Sequence, residues 1–350
     1  MTSLRRRRRV FYCFVALLIT LGTVAGGIVA VVVGPSGQPL PVVLDALGDG
    51  ARSVVFGESY PRDPAHTIVL DIRLPRVLLG CLVGASLALA GAVMQALFQN
   101  AMADPYIVGV SGGAALGAVA AMMLNIQLRI AGFTAVPILA FAGALAATVT
   151  VYVLAQRGGR VHTATLLLTG IAIGSLVSAI TSFLMLSRDE LQPGVIFWLL
   201  GSLSGRSWLH VYALLPQLVV GLVVAVVMAR PLNVLVLGDE AALNLGLDVQ
   251  RTKRWLLALS ALLAASAVAV SGIIGFVGLI IPHVCRLIVG PDHRVLLPIS
   301  ALAGALLLVL ADIPARMALA PTELPIGIIT SLLGCPFFLY LLHRQGTRGL

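Results

Sequence analysis

The most informative shortage in this chain is of charge. Only 11% of its 350 residues are Asp, Glu, Lys or Arg, whereas 59% are hydrophobic. A soluble domain carries about 25% charged residues, so water cannot be the main solvent of this surface. Apolar runs of about 20 residues, the length that crosses a bilayer as a helix, recur along the sequence. The composition therefore predicts an all-α integral membrane protein.

Lysine and cysteine are also scarce. Lys253 is the only lysine, and Thr252 precedes it, so the chain has no GxxxxGK[ST] phosphate loop and no ATPase site of that type. The four cysteines are far apart within apolar segments, which favours neither a CxxC metal site nor a disulfide framework. We therefore expect this chain to hold no catalytic residue, no metal and no cofactor.

Acidic residues are missing from the centres of the apolar runs. Asp104, Asp312 and Glu323 all fall at the ends of runs. An ion-coupled secondary transporter usually places carboxylates near the bilayer midplane. Such a transporter remains the alternative in another functional class, and the position of the acids disfavours it.

Hydropathy predicts about ten transmembrane helices in a single domain, residues 1–350, with both termini in the cytoplasm. The basic N-terminal segment 1–9 contains Arg5–Arg9, and 15 of the 23 Lys and Arg residues fall in predicted cytoplasmic segments. We interpret Arg5–Arg9 as a topology signal, with lipid binding as the less favoured alternative. Basic residues scattered over both faces argue against nucleic acid as a partner. The predicted spans are 10–33, 75–98, 106–124, 132–155, 163–187, 208–229, 254–271, 275–289, 295–312 and 325–342.

Three breaks between the spans are longer than turns. Residues 34–74 are predicted to form a periplasmic loop, and residues 188–207 another, with a short helix near 193–200. Residues 230–253 form the only extended cytoplasmic segment. There a helix-forming stretch after Glu240 ends at Gly246, which can cap it. The pattern predicts a short exposed helix that a soluble partner can grip.

Glycines recur inside the spans at small-xxx-small spacing. Such pairs let helices approach closely in lipid, and we expect them to pack within one subunit rather than to mark a dimer seam. Late spans are also interrupted by Gly or Pro, as at 271–275, and broken helices usually line a cavity or pack against protein. The pairs are Gly80/Gly84, Gly113/Gly117 and Gly170/Gly174.

A set of motifs follows in a fixed order from about residue 70 to the C-terminus. Together they resemble the FecCD family, the ABC-importer permeases for ferric siderophores, haem and vitamin B12. Glu-Ala-Ala-x-x-x-Gly at 240–246 resembles the coupling motif of such permeases. The other motifs are Arg73-Leu74-Pro75-Arg76, the glycine- and alanine-rich run 84–95, Asn100-Ala101-Met102-Ala103-Asp104-Pro105, the run 275–283, Gly290-Pro291-Asp292-His293-Arg294, the run 311–316 and Glu323-Leu324-Pro325-Ile326-Gly327.

The resemblance implies a type II ABC importer permease in the bacterial inner membrane. It implies a homodimer whose central path is lined by the fifth helix, two ATP-binding-cassette subunits that bind ATP below it, and a substrate-binding protein above it. Membrane lipid surrounds the assembly. For the cargo we rank ferric siderophore first, haem second and cobalamin third.

The resemblance also implies roles for individual residues. Outer-face arginines, whose guanidinium groups suit carboxylates, would dock the binding protein, although Asp71/Arg73 and Asp312/Arg316 are alternatively local pairs. Thr163 matches a hydroxyl residue of the cytoplasmic gate, whereas Ala164 stands where a serine is usual. His283 is expected to bond to backbone rather than to haem. The ATPase-coupling residues are Gly238, Asp239, Glu240, Ala241, Ala242, Leu245 and Gly246; the docking residues are Arg73, Arg76 and Arg316; the gate residues are Thr163 and Ala164.

Overall fold

The computed structural model describes residues 2–35, 37–56, 63–158, 160–186 and 192–346. In this part of the chain, seven helices are long and apolar enough to cross a membrane, and three shorter apolar helices accompany them. These helices coincide with the ten predicted spans, so the prediction of an all-α membrane protein is confirmed. The helices are α1 (Thr2–Val32), α2 (Leu40–Phe56), α3 (Pro64–His66), α4 (Leu74–Leu97), α5 (Val110–Met123), α6 (Ala135–Ala155), α7 (Thr163–Met185), α8 (Gln192–Leu199), α9 (Trp208–Val227), α10 (Ala229–Leu235), α11 (Asp239–Asn244), α12 (Val249–Ser271), α13 (Val277–Val289), α14 (His293–Met317) and α15 (Ile326–Gly346).

Short irregular elements connect these helices. A π-helical turn at Thr67–Arg73 leads into α4, and a 3₁₀ turn at Pro105–Val108 leads into α5. Strands β1 (Arg129–Ile130) and β2 (Phe133–Thr134) form an antiparallel hairpin between α5 and α6. Strands β3 (Gln156–Arg157) and β4 (Arg160–Val161) form a second hairpin between α6 and α7.

Helix α4 is the centre of the core. Twenty of its 24 residues are buried, and it packs against α9, α12, α13 and α14. A helix that is apolar all round is expected inside a bundle rather than at its edge. Helices α1, α7 and α9 instead keep broad apolar faces exposed, and they form the perimeter.

Glycines set the closest helix crossings. A Cβ atom at Gly84 would collide with the carbonyl oxygen of Gly304, and one at Gly91 would collide with that of Gly278. Helices α13 and α14 therefore lie directly on the α4 backbone. Gly113 likewise packs on α6, so these crossings lie within the subunit, as the spacing predicts. At Gly174 a Cβ would meet no atom within 4 Å, and that face of α7 is open.

A substitution at the α4–α14 crossing should be strongly destabilising. Gly84→Val places a branched side chain against fixed backbone, and we expect it to cost about 3 kcal/mol, the upper part of the usual range for overpacking. The thermal midpoint of the purified permease in detergent measures this. Gly174→Ala, which enters open space, is the control and should leave the midpoint unchanged. Equal midpoints for both variants would contradict the crossing.

Within the predicted loop 34–74, the described residues 40–56 and 64–73 are helical. Residues 40–56 form α2, which lays Val43 and Ala46 on Val69 and Leu70 to make a small outer core. The indole Nε1 of Trp208 donates to the carbonyl oxygen of Leu70 at 2.9 Å and ties this core to α9. Because α2 contains glycines and aspartates, which are typical of loops, the sequence did not indicate that its apolar residues share one helix face. The short helix expected near 193–200 is present as α8.

The break between α12 and α13 is buried in protein. The hydroxyl of Tyr106 donates to the carbonyl oxygen of Ile274 at 3.0 Å, and the backbone N–H of Ser202 donates to that of Ser271 at 2.7 Å. Neighbouring elements thus satisfy the backbone groups that the missing helical turn leaves free, which is the condition for irregular backbone at membrane depth.

Candidate coupling, docking and gate sites

Two glycines delimit the short helix α11. Gly238 precedes it with φ of 108°, and Gly246 follows it with φ of 81°, backbone angles that favour glycine over other residues. Asp239 and Glu240 occupy the first turn, where the helix dipole favours negative charge. The short helix expected after Glu240 is therefore present.

Helix α11 is anchored to the core through its first residue. The carboxylate of Asp239 pairs with the ammonium of Lys253, which is buried on α12. The amide of Gln99, just beyond α4, donates to Asp239 Oδ1 at 3.3 Å and to the carbonyl oxygen of Leu235 at 3.0 Å. Ala242, on the inner side of α11, is fully buried. Helix α11 is thus tied to α12 and to the end of α4, the two most buried long helices among the described residues.

The opposite side of α11 is exposed and partly apolar. Leu243 and Leu245 are 59% and 65% exposed, and Glu240 in the same short segment is exposed as well. Apolar side chains clustered on an exposed surface commonly mark a protein contact. Of the predicted coupling residues, Glu240, Leu245 and Gly246 are exposed, Gly238, Asp239 and Ala241 are partly exposed, and Ala242 is buried. Sequence reasoning missed Leu243, whose signal is a large apolar residue within a polar break.

The three outer arginines lie together at the other end of the molecule, and all are less than 10% exposed. Arg76 reaches Asp312 from Nε at 3.0 Å and from Nη2 at 2.9 Å, and its Nη1 donates to Glu323 Oε1 at 2.7 Å. Arg316 Nε pairs with the same Asp312 at 3.0 Å. The local pair Asp312/Arg316 therefore exists, but inside the protein rather than on its surface.

Two of these arginines, Arg73 and Arg316, hydrogen-bond to the outer end of α1. Arg73 Nη1 donates to the carbonyl oxygens of Val31 and Val32, at 2.6 and 2.8 Å, and Arg316 Nη2 donates to that of Ala30 at 2.8 Å. These carbonyls belong to the last turn of α1, whose oxygens have no partner within the helix. The arginine cluster, defined as Arg73, Arg76, Arg316, Asp312 and Glu323, thus joins α1, α4, α14 and the segment before α15.

Glu323 is the outermost acid of the arginine cluster, with 28% of its side chain exposed. Burial alone would raise its pKa, but the hydrogen bond and the charge of Arg76 hold the pKa below the usual glutamate range. Because the folded-state pKa is depressed, the stabilisation is complete above the ordinary glutamate pKa and is lost as the pH falls through the depressed value. An external carboxylate can pair with Arg76 only by displacing Glu323 or Asp312.

The predicted gate residues begin α7. Thr163 is half-buried at the first helical position, and Ala164 is exposed. The side-chain oxygen of Gln250 accepts from the backbone N–H of Val161 at 3.0 Å, which fixes the start of α7 to α12. The structure therefore places Thr163 next to the helix that carries Lys253 and, through it, α11.

Helix α7 bears a surface of small and hydroxyl residues. A cavity of about 390 Å³ lies between α5, α7 and the α12–α13 break, and Ser111, Ser178, Thr181 and Ile273 are among its lining residues. Alongside it, one face of α7 is exposed over the whole helix length. A second subunit or a permeating molecule can therefore meet α7 directly.

The comparisons with known proteins agree with these features. The model of the FecCD transport family matches residues 16–344. The chain belongs to this family. It is 50% identical over 343 residues to the cobalamin import system permease protein of Halobacterium salinarum, covering 95% of this chain and 91% of that protein. It is 44% identical over 317 residues to the hemin transport system permease protein of Yersinia pestis, covering 87% and 93%.

A solved structure shows the same fold. It is described as an inward-facing conformation of an ABC transporter of the metal-chelate type, with a TM-score of 0.80 and 29% identity, covering 94% of this chain and 98% of that one. The predicted family, the type II importer permease fold and the role as an ABC importer permease are thereby confirmed. As a FecCD protein the chain is a multi-pass transport subunit, from a class of permeases that work with ATPase and binding-protein partners.

Proposed function

We propose that this FecCD chain forms the homodimeric membrane half of an ATP-driven importer in the bacterial cytoplasmic membrane, with both termini in the cytoplasm. Two copies enclose the path, and two separate ATP-binding-cassette subunits bind and hydrolyse ATP beneath it. A substrate-binding protein delivers the cargo from outside. The chain itself performs no chemistry on ATP, since it has no phosphate loop.

The observation that supports this most strongly is the construction of α11. Its outer side offers Glu240, Leu243 and Leu245 to a partner, while Asp239 fastens its inner side to Lys253. A helix that is only solvated needs neither exposed leucines nor a buried lysine partner. The arrangement suits a helix that an ATPase can move. The movement would pass through α12 to the start of α7.

The path is proposed along α7. Its exposed face joins a cavity lined by serine and threonine hydroxyl groups and by glycines, which leave room for a bulky cargo. Thr163, with Ala164 beside it, is proposed as the cytoplasmic gate because both lie at the inner end of this face. Movement of α12 would reach Thr163 through the Gln250–Val161 hydrogen bond.

The proposed cargo is a metal chelate, with an iron complex such as a ferric siderophore or haem as the first candidate. Relatives whose names include hemin and Fe(3+) dicitrate support this class. Cobalamin is the second candidate, and the 50% identity with a cobalamin permease over nearly the whole chain favours it. All three are large organic ligands that hold a metal ion, so one path geometry serves them.

Uptake in a host that lacks its own FecCD permeases would identify the cargo. The complete system, with its binding protein and ATPase, is offered radiolabelled cobalamin, haem and a ferric siderophore in parallel. We expect one metal chelate to accumulate and the Thr163→Trp variant, which fills the proposed gate, to stop its uptake. Accumulation of none of the three, with the complex correctly assembled, would refute the proposed cargo class.

Docking by Arg73, Arg76 and Arg316 is proposed to occur by exchange of carboxylate partners. Because Glu323 already occupies Arg76, Glu323→Gln should free the guanidinium for an acid on the binding protein and raise its affinity about fivefold, the effect of roughly 1 kcal/mol. Surface plasmon resonance at low salt measures this affinity. Asp71→Asn, an exposed acid on the same face, controls for lost negative charge. Equal gains in the two variants would point to general electrostatics and not to exchange at Arg76.

A further inference from the structure

The inner ends of α1, α13 and α14 form a basic surface that the transport cycle described above does not use. Tyr12, Val15 and Ile19 of α1 pack on a small core made by α13 and α14. Arg8 lies four residues before Tyr12 and therefore continues the same face of α1. Arg286 lies in the last turn of α13, and Arg294 in the first turn of α14. By the positive-inside assignment, these ends meet the cytoplasmic leaflet.

The charge of this surface is not balanced. The inner-leaflet patch consists of Arg7, Arg8, Arg9, Arg286 and Arg294, and none forms an ion pair with a described carboxylate. Asp292 lies two residues before Arg294 and its charge acts on Arg294, but one carboxylate beside five arginines leaves the patch with a net positive charge. Asp292 Oδ1 already accepts from the amide of Asn233 at 2.7 Å and from the backbone N–H of Arg294 at 3.1 Å.

Arg286 lies near two buried histidines, one on α13 and one on α14. Its charge acts on the imidazoles of His283 and His293, both less than 10% exposed. His283 Nδ1 and His293 Nε2 are buried without a hydrogen-bond partner among the described residues, and the backbone bond expected for His283 is absent there. A half-buried guanidinium that has no ion pair with a described carboxylate is costly unless an anion joins it.

The surroundings of the patch are apolar. Phe11, Phe14 and Leu18 are exposed on the adjacent face of α1, and Leu287 is 68% exposed beside Arg286. A ligand here therefore meets arginine side chains at the membrane surface and, next to them, exposed apolar side chains that face the bilayer interior. That combination matches a phospholipid with a net negative headgroup, whose phosphate meets arginines and whose chains lie along the helices.

We propose that the inner-leaflet patch is a binding site for an anionic phospholipid, held between α1 and the α13–α14 hairpin. The headgroup phosphate lies among Arg8, Arg9 and Arg286, and the acyl chains cover Phe11, Phe14 and Leu287. His293 donates from its backbone N–H and from its ring Nδ1 to Asn233 Oδ1 of α10, the helix that leads to α11. The bound lipid therefore supports the segment on which coupling depends. The proposal does not rest on the identity of the cargo.

Native mass spectrometry of the full-length chain in detergent tests the site. Phosphatidylglycerol and phosphatidylcholine with identical acyl chains are titrated in separate runs. We expect phosphatidylglycerol to bind at least about tenfold more tightly, as several interfacial arginines predict. The Arg8→Gln/Arg286→Gln variant should lose about thirtyfold of this affinity, since each interfacial arginine contributes roughly a factor of five. Arg8→Lys/Arg286→Lys, which keeps the charge, should stay within about threefold of the wild type.

The matched control is Arg52→Gln/Arg129→Gln, which removes two exposed arginines on α2 and β1, outside the patch. It should bind phosphatidylglycerol like the wild type, and all variants should elute as folded protein with wild-type thermal midpoints. Equal affinity of the wild type for the two lipids would overturn the proposal. So would unchanged lipid affinity in the Gln variant; if ATPase retention fell in that variant instead, the occupant of the patch would be protein.

Discussion

Asp312→Ala is expected to destabilise this permease strongly, by more than Gly84→Val does. Asp312 is 2% exposed and accepts from both Arg76 and Arg316, which are themselves buried. Its removal leaves three arginines around Glu323 as the remaining acid of the cluster. Breaking one buried ion pair in this way typically costs about 3–5 kcal/mol, and here two pairs share one carboxylate.

Fluorescence-detected gel filtration after heating measures this loss. We expect Asp312→Ala to show little folded protein, and Asp312→Asn to lose nearly as much because its amide keeps the volume but not the charge. Asp71→Ala removes an exposed acid at the same end of the molecule and should behave like the wild type. A thermal midpoint for Asp312→Ala within a few degrees of the wild type would show that the arginine cluster does not hold α1, α4 and α14 together.

Leu243→Arg/Leu245→Arg is expected to separate the permease from its ATPase and to stop transport. Both leucines are more than half exposed, Leu243 on α11 and Leu245 directly after it, so the protein should still fold and insert. Buried apolar anchors at an interface commonly contribute about 2 kcal/mol or more each when truncated, and a buried unpaired charge adds to that loss. We therefore expect ATPase affinity to fall about a hundredfold or more, with uptake falling in parallel.

Co-purification of the ATPase on a tagged permease is the measurement. Leu319→Arg introduces the same charge at an exposed leucine of the other face and should retain the ATPase. Glu240→Arg should weaken retention while leaving insertion intact, since Glu240 begins the same exposed side of α11. Full ATPase retention by Leu243→Arg/Leu245→Arg would remove α11 from the coupling route.

The spans could be predicted from the sequence because lipid imposes a simple rule on length and polarity. The rule failed at α2. This segment is polar enough to look like a loop, yet it forms a helix that packs Val43 and Ala46 inward. The glycine spacing predicted packing within the subunit at Gly84 and Gly113, but not the open surroundings of Gly174, and not the partner helices. Those depend on which distant glycine, such as Gly304 for Gly84, completes each crossing.

The candidate sites were predictable to different extents. Helix α11 could be read from adjacent residues, because its capping glycines and first-turn acids are local signals. Its partner Lys253 could not, and neither could the burial of Arg76, whose carboxylate partner Asp312 lies 236 positions further along the chain. Whether an arginine faces water or an internal acid depends on tertiary packing, so the sequence alone left docking and local pairing equally open for Arg316.

The central claim is that this FecCD chain transports only when a separate ATPase drives it. Its most direct test is uptake of the identified metal chelate into proteoliposomes that contain the permease with or without the ATPase, with the loaded binding protein outside. We predict uptake that requires both the ATPase and internal ATP, and none by the permease alone under a proton or sodium gradient. Gradient-driven accumulation by the permease alone would contradict this account and restore the ion-coupled transporter.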